Sequence, residues 1–275
     1  MTGSTLRVLL ALCLGPALDM GIQEAFAQQT LPLIRRAAEC IGEARADRLQ
    51  GLTPEGDLIL LSGGPARLAG IRLPDTSPYR EQSIAWLQAW TVHSIIVQGS
   101  DKRDRWDRLS VRVRSSGQTP ALDWAHGLVE AGLALVDAGT EGVFCQPELL
   151  VLEATARERR LGIWADDRYK PLDVNQPERL RERIGSFVLV EGRIRSIGER
   201  KQRTYLNFGG LWAEDFTIII PKTTWKQMSD RGLGLDALKG RRIRARGILQ
   251  SWQGTAFSIV IPDMIERLEG DHLPR

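Results

Sequence analysis

Five arginines stand at two-residue spacing late in the sequence: Arg193 and Arg195 in one segment, Arg242, Arg244 and Arg246 in another. Alternate side chains of an extended chain share a face, so each set projects from one side of a sheet. An arginine stripe with aromatic rings nearby suits single-stranded nucleic acid, whose phosphates take the guanidinium groups and whose bases stack on the rings. Tyr205, Phe208, Trp212, Trp225 and Trp252 are the rings at hand. Polyanions of a cell envelope would satisfy the same charge. The plainer alternative is a solvated sheet face with the aromatics in the core, since one side of a barrel is polar in any case. Three Cys exclude a four-thiolate zinc site, and three scattered His exclude a paired-His motif.

Two blocks of elements must carry these residues. Leu58–Leu61 reads as a strand, Ser62-Gly63-Gly64 as a turn and Ala66–Arg72 as a second strand. Ser77-Pro78 opens a helix, with Ser as N-cap, whose apolar stripe is Ile84, Leu87 and Trp90. His93–Gln98 is a strand. In Arg108–Arg114, Leu109, Val111 and Val113 alternate with Ser110, Arg112 and Arg114, a half-buried strand with arginines on its open face. Thr119-Pro120 opens a second helix, running to about Ala131, and Pro147 a third, closed by Leu161-Gly162. This order is α+β rather than alternating βαβ. A charged helical linker, Glu178–Arg183, leads into strands at Phe187–Ile197, Thr204–Phe208, Phe216–Ile220, Arg241–Leu249 and Ala256–Ile261. One helix, Thr223–Met228, falls between the third and fourth strands, which is the OB-fold order.

With 275 residues, 43% hydrophobic and 26% charged, the chain has room for two small domains. It is not a polytopic membrane protein, a disordered tail or a low-complexity scaffold. The net charge of +3 is too small to indicate a nucleic-acid partner alone, but it is unevenly placed. Residues 41–171 hold 16 basic and 18 acidic side chains, and residues 172–275 hold 18 and 13. The break near Pro171 to Pro177 sets the expected domains at 41–168 and 178–269.

Arg7, the apolar run Val8–Leu18 and Ala25-Phe26-Ala27 read as a secretory signal peptide over residues 1–27, with export to the periplasm or the exterior. The run is too short for a membrane span. Removal of that segment leaves Cys40 and Cys145, either one disulfide or two separate buried thiols; an oxidising compartment favours the bridge.

Four segments carry a resemblance. Arg67-Leu68-Ala69-Gly70-Ile71-Arg72-Leu73-Pro74-Asp75 resembles the R-L-x-G-I-D-x-P-E segment of staphylococcal-nuclease-like (thermonuclease) proteins. Asp104-Arg105-Trp106-Asp107-Arg108-Leu109 is similar to that family's D-x-Y-G-R-L, and Leu128–Ala134 to its L-V-x-x-G-L-A helix end. Glu153-Ala154-Thr155-Ala156-Arg157 with Leu161-Gly162-Ile163-Trp164 resembles its closing helix. The resemblance implies an OB-type barrel with helices packed on it; segments of the basic block resemble, more loosely, the second OB-like domain appended to some bacterial members. The expected fold is therefore α+β and mainly β, an OB-fold barrel of this nuclease type followed by a second small OB-like barrel.

The family holds Ca²⁺ with two aspartates and a carbonyl, engages water with a glutamate and clamps phosphate with two arginines. Carboxylates suit a hard cation, and guanidinium groups donate paired hydrogen bonds to phosphate. By the resemblance, Arg67 and Arg108 are the phosphate arginines and Asp104 is the acidic residue preceding the second. Asp75 stands, one methylene short, for the glutamate. Asp57 matches a calcium aspartate with a one-residue slip, and Arg72 replaces the other. The tyrosine that the family places after the second helix is absent from Val136-Asp137-Ala138. Arg67 and Arg108 could also simply pair with Asp57, Asp75 or Asp104. The set favours binding of nucleic acid or another polyanion at a degenerate nuclease site, with no cofactor expected. The alternatives are an active phosphodiesterase with Asp57, Asp75 and Asp104 holding a metal, Ca²⁺, in a rearranged cage and Arg67 and Arg108 on the phosphate, and a non-enzymatic envelope scaffold.

Overall fold

The computed structural model describes Cys40 and residues 42–91, 93–117, 121–140, 143–210 and 215–268. The expected export signal, Thr119-Pro120 and Trp212 lie outside the described residues.

Strands β1 (Ala44–Leu52), β2 (Leu58–Leu60), β3 (Gly64–Leu68), β5 (Ser94–Arg103) and β6 (Leu109–Ser115) close a barrel in the order β1-β2-β3-β6-β5. All neighbours are antiparallel except β3 and β6, where Ala66, Arg67 and Leu68 lie beside Leu109, Ser110 and Val111. The alternation expected on β6 holds: Leu109, Val111 and Val113 are buried. Strand β1 was not legible in the sequence. Its inward side carries Asp47 next to Leu49, both buried, so its hydrophobic pattern is broken. The short β4 (Ile71–Arg72) pairs with β7 (Leu135–Val136) outside the barrel. Helix α1 (Tyr79–Gln88) is capped by Pro78 rather than Ser77. Helix α2 (Trp124–Glu130) starts at Asp123, whose carboxylate accepts the N–H groups of Ala125 and His126, a conventional N-cap. Helix α3 (Glu148–Glu158) follows Pro147 as expected.

The stretch from Pro171 to Pro177 is no bare linker, because β8 (Leu172–Asp173) joins the edge of a C-terminal sheet beside β9 (Phe187–Arg193). Helix α4 (Pro177–Glu182) comes between them. Two sheets follow. One has the order β10 (Ser196–Glu199), β11 (Arg203–Asn207), β12 (Phe216–Pro221), β15 (Thr255–Ser258), β14 (Gln250–Ser251). The other runs β16 (Ile265–Arg267), β13 (Arg242–Ile248), β9, β8. The strand expected at 187–197 breaks at Ile194 and Arg195, whose N–H groups bond Arg241 and Asn207 in turn, so the chain passes from one sheet to the other. The strand expected at 241–249 splits likewise into β13 and β14. Strands that switch sheets at a bend make the corners of small barrels. With β9/β10 and β13/β14 traced as two bent strands, the connectivity repeats that of the first barrel, including a parallel pair, β12 with β15. Helices α5 (Lys222–Asp230) and α6 (Leu235–Leu238) cover it.

Phe208, Phe216 and Phe257 stack in the C-terminal core with centroids 5.2 and 5.1 Å apart, and Trp225 is buried. These aromatics are core, not stacking platforms; Trp252 is exposed. A smaller apolar cluster joins Leu135, Ala156, Ile163, Trp164 and Tyr169 to Leu189 of β9. The outer face of β9 and β13 therefore packs on α3 and the turns after it, and the described residues form one compact unit. A disulfide between Cys40 and Cys145 ties the entry of β1 to the segment before α3.

Candidate phosphate site

Asp57 ends the turn between β1 and β2. Gly56, at φ +88°, makes the turn possible, and the Thr53 hydroxyl accepts the Asp57 N–H at 3.1 Å. The antiparallel register of Leu58 with Ala66, continued one step, sets Asp57 beside Arg67. The hairpin from Asp104 to Arg108 is built around Asp104. Its Oδ1 accepts the N–H groups of Trp106 (2.9 Å) and Arg108 (3.0 Å). Its Oδ2 accepts from Arg108 Nε at 3.0 Å and Nη2 at 2.8 Å. Arg108 Nη1 donates to Asp57 Oδ2 at 3.0 Å. The pairing of Arg108 with Asp57 and Asp104 anticipated as the structural alternative is thus what forms, and at least one of the guanidinium's five N–H groups stays available.

Burial raises the Asp104 pKa, but the hydrogen bonds from Arg108 and the N–H of Trp106 outweigh it and hold the carboxyl at about 2, against an ordinary 3.8. The proton is therefore held more weakly in the folded chain. The stabilisation is fully present above the ordinary value and is lost as pH falls through about 2. The stability difference between the wild type and Asp104→Asn is expected to be constant above about pH 5, to shrink below about pH 4 and to vanish near pH 2. Urea unfolding at a series of pH values measures it; a difference undiminished at the acid end contradicts the clasp.

Arg67, half-buried on β3, makes no hydrogen bond or ion pair among the described residues. Its Nη2 lies 3.7 Å from where a Cβ on Gly139 would sit. Arg72 does not turn toward Asp57. Its Nε and Nη2 donate to Asp137 Oδ2 at 3.0 and 2.9 Å, and its guanidinium lies 4.9 Å from the ring centroid of Phe187 on β9. Asp137 Oδ1 accepts the Gly139 N–H at 2.9 Å, so one carboxylate holds both Arg72 and the turn against which Arg67 rests. Asp75 is exposed; the neighbouring Thr76 hydroxyl bonds the Tyr169 hydroxyl at 2.8 Å.

In this arrangement the two aspartates expected on Ca²⁺, Asp57 and Asp104, are engaged by Arg108. Arg72, standing where the resemblance expects the other carboxylate, is bound to Asp137. Among the described residues no three His, Cys, Asp or Glu side chains converge for a metal.

Trp106, unassigned from sequence, is 57% exposed at the hairpin tip, with Arg105 3.8 Å and Arg108 4.7 Å from its ring centroid. Its place in the segment similar to D-x-Y-G-R-L was the available signal. The C-terminal stripes divide. Arg193 and Arg195 are exposed, with Arg193 Nη1 on the Gly240 carbonyl at 2.8 Å. Arg242 and Arg244 both pair with Glu191, at 3.0 and 2.7 Å. Arg246 is fully buried between Glu153 and Glu266. The sheet face expected to meet a polyanion at Arg242–Arg246 is, at its Arg246 end, covered by α3, and a guanidinium at 0% exposure cannot reach a phosphate.

A closed five-stranded barrel with one parallel pair fits an OB fold, and it bears two arginines and two aspartates on neighbouring strand ends. Residues 65–166 match the family model described as staphylococcal nuclease homologue. The chain thus carries a staphylococcal-nuclease-like domain. A search of curated proteins finds no match.

Proposed function

We propose that the protein binds single-stranded nucleic acid, or another phosphate-rich polyanion, at Arg67 and Arg108, without efficient cleavage of the phosphodiester. One observation carries this reading: Asp57, at one calcium-aspartate position, and the neighbouring Asp104 are both taken by Arg108, and the other calcium-aspartate position is a guanidinium bound elsewhere, while Arg67 stays unpaired among the described residues. The phosphate-binding half of the site survives and the water-activating half does not. Trp106 offers a base-stacking surface beside it. In this reading, residues 41–168 are the binding domain and 178–269 a second domain, which contributes Arg193 and Arg195. Residues 1–27 direct export to the periplasm or exterior. The Cys40–Cys145 bridge is compatible with that compartment, and no described helix is long and apolar enough to cross a membrane.

Incubation with labelled single-stranded DNA, with Ca²⁺ or with chelator, tests the proposal. Salt-sensitive retardation without shortening is expected in both, and Arg67→Ala is expected to weaken it about tenfold or more. Shortening that chelator stops would instead establish an active phosphodiesterase using Asp57, Asp75 and Asp104. Neither retardation nor shortening would leave a scaffold.

A further inference from the structure

We infer that the outer face of the sheet β10-β11-β12-β15-β14 is a separate binding surface for single-stranded nucleic acid, where a base stacks on Tyr205 and phosphates run along the β10–β11 hairpin. It goes beyond the site at Arg67 and Arg108, which belongs to the first barrel, and shares no residue with it. On β11, Thr204 and Leu206 have no exposure and turn into the core. Arg203, Tyr205 and Asn207 alternate onto the other face, Arg203 exposed and the other two half-buried. The register sets Gly198 opposite Tyr205 on one side and Ile219 on the other. A Cβ on Gly198 would meet no atom within 4 Å, so the backbone beside the ring is bare. Ile219 belongs to neither apolar core cluster, in keeping with a place on the outer face. Further along that face, Ser196 and Asn207 pair across β10 and β11, and Ser258 lies beside Ile219, all of them uncharged.

One end of this face is basic. The Arg200 N–H closes the β10–β11 hairpin on the Arg203 carbonyl at 2.8 Å, which leaves Lys201 and Gln202 at the tip. Arg200, Lys201 and Arg203 are all exposed. The hairpin's one carboxylate, Glu199, pairs with Thr204 and so lies on the inward side of the pleat, where Lys222 of α5 binds it. Arg200 Nη1 donates to the Glu199 carbonyl at 3.3 Å, not to its carboxylate. The three cations of the hairpin are therefore matched by no acid of its own.

At the other end, Thr217 joins Asn207 to Ala256, so the turn that precedes β15 comes up beside Asn207. That turn carries Trp252, 44% exposed. A sheet face bordered by the first hairpin and by the turn before the last strand is where OB folds take oligonucleotides. The ring and the cations together select the occupant. A neutral polymer has no use for three cations, an acidic peptide none for the ring, and a duplex keeps its bases stacked inside. A single strand supplies both phosphates and free bases.

Fluorescence anisotropy of the full chain with a labelled oligothymidylate of about ten nucleotides tests this, a length within one OB-fold footprint. Variants are compared on the Arg67→Ala background, where the first site contributes little. Tyr205→Ala is expected to weaken binding about tenfold, and Tyr205→Phe, which keeps the ring, to stay within about twofold. Gly198→Val sets a branched side chain in the open space beside the ring with no charge altered, and is expected to weaken binding about fivefold. Arg200→Gln with Arg203→Gln is expected to lower the salt slope by about 1.4, at about 0.7 for each phosphate contact. Inorganic polyphosphate has no base, and Tyr205→Ala is expected to leave its binding within about twofold. Oligothymidylate binding unchanged in both Tyr205→Ala and Gly198→Val overturns the surface and leaves the Arg67 site standing. Equal losses for polyphosphate and oligothymidylate in Tyr205→Ala overturn it as well, because no stacked base is then at work. Binding that Arg67→Ala spares and Tyr205→Ala abolishes upholds this surface and removes the proposed function from the first barrel.

Discussion

Arg246→Ala is expected to lower stability by about 3–5 kcal/mol, the cost of leaving a buried charge without its partner. Arg246 Nη1 donates to Glu153 Oε2 at 2.8 Å and to the Val136 carbonyl at 3.2 Å, and Nη2 bonds Glu266. Arg246 and Glu153 have no side-chain exposure. Burial disfavours the Arg246 charge, but Glu153 and Glu266 outweigh it and raise the pKa, so the guanidinium stays ionised. In its absence Glu153 keeps the Val136 N–H at 2.8 Å and Arg157 at 3.3 Å, and Arg157 is itself destabilised as a cation by burial and by the charge of Arg244. For a chain of this size the loss corresponds to a melting temperature lower by roughly 6–20 °C. Arg246→Met combined with Glu153→Gln removes both charges, keeps bulk and keeps an acceptor for Val136, and is expected to recover most of the loss. A single Arg246→Ala within about 1 kcal/mol of wild type would contradict a load carried across the two β units. The effect also reaches the site: Val136 adjoins Asp137, which holds Arg72 and the turn beside Arg67.

Loss of the Cys40–Cys145 bridge is expected to be of similar size. The two residues are 105 apart in sequence, and closing a loop of about 100 residues restricts the unfolded chain by about 4–5 kcal/mol in the chain-entropy account. The bridge anchors the first barrel strand to the segment where Gln146, buried, donates to the Ala69 carbonyl at 3.0 Å just ahead of the β4 strand that carries Arg72. Cys145 is exposed, so reductant has access. Heating with and without dithiothreitol, and heating a Cys40→Ser/Cys145→Ser variant, should show melting lowered by roughly 10 °C or more. Equal melting in all three would show that the link restricts nothing the fold has not already restricted.

The barrel and its site were legible because their signals are local. Alternation named the buried face of β6, the resemblance marked Asp57, and residues 104–109 contain the whole hairpin that positions Arg108. Strand β1 escaped because its inner side holds Asp47 among apolar residues. Arg72 was visible as a reversal of charge, but its fate was not: Asp137 and Phe187, which hold it, come from β7's far end and from β9.

The sequence by itself determined most of the barrel strands, the arginine at position 72, the two cysteines available to bridge, and which arginines share a sheet face. Only the tertiary structure decided what lies against that face. Alternation assigns Arg242, Arg244 and Arg246 to one side of β13 because a strand's side chains point alternately up and down. Whether that side meets water or another element depends on contacts between residues as far apart as Glu153 and Arg246, and burial of a charge is settled by the partner that arrives there.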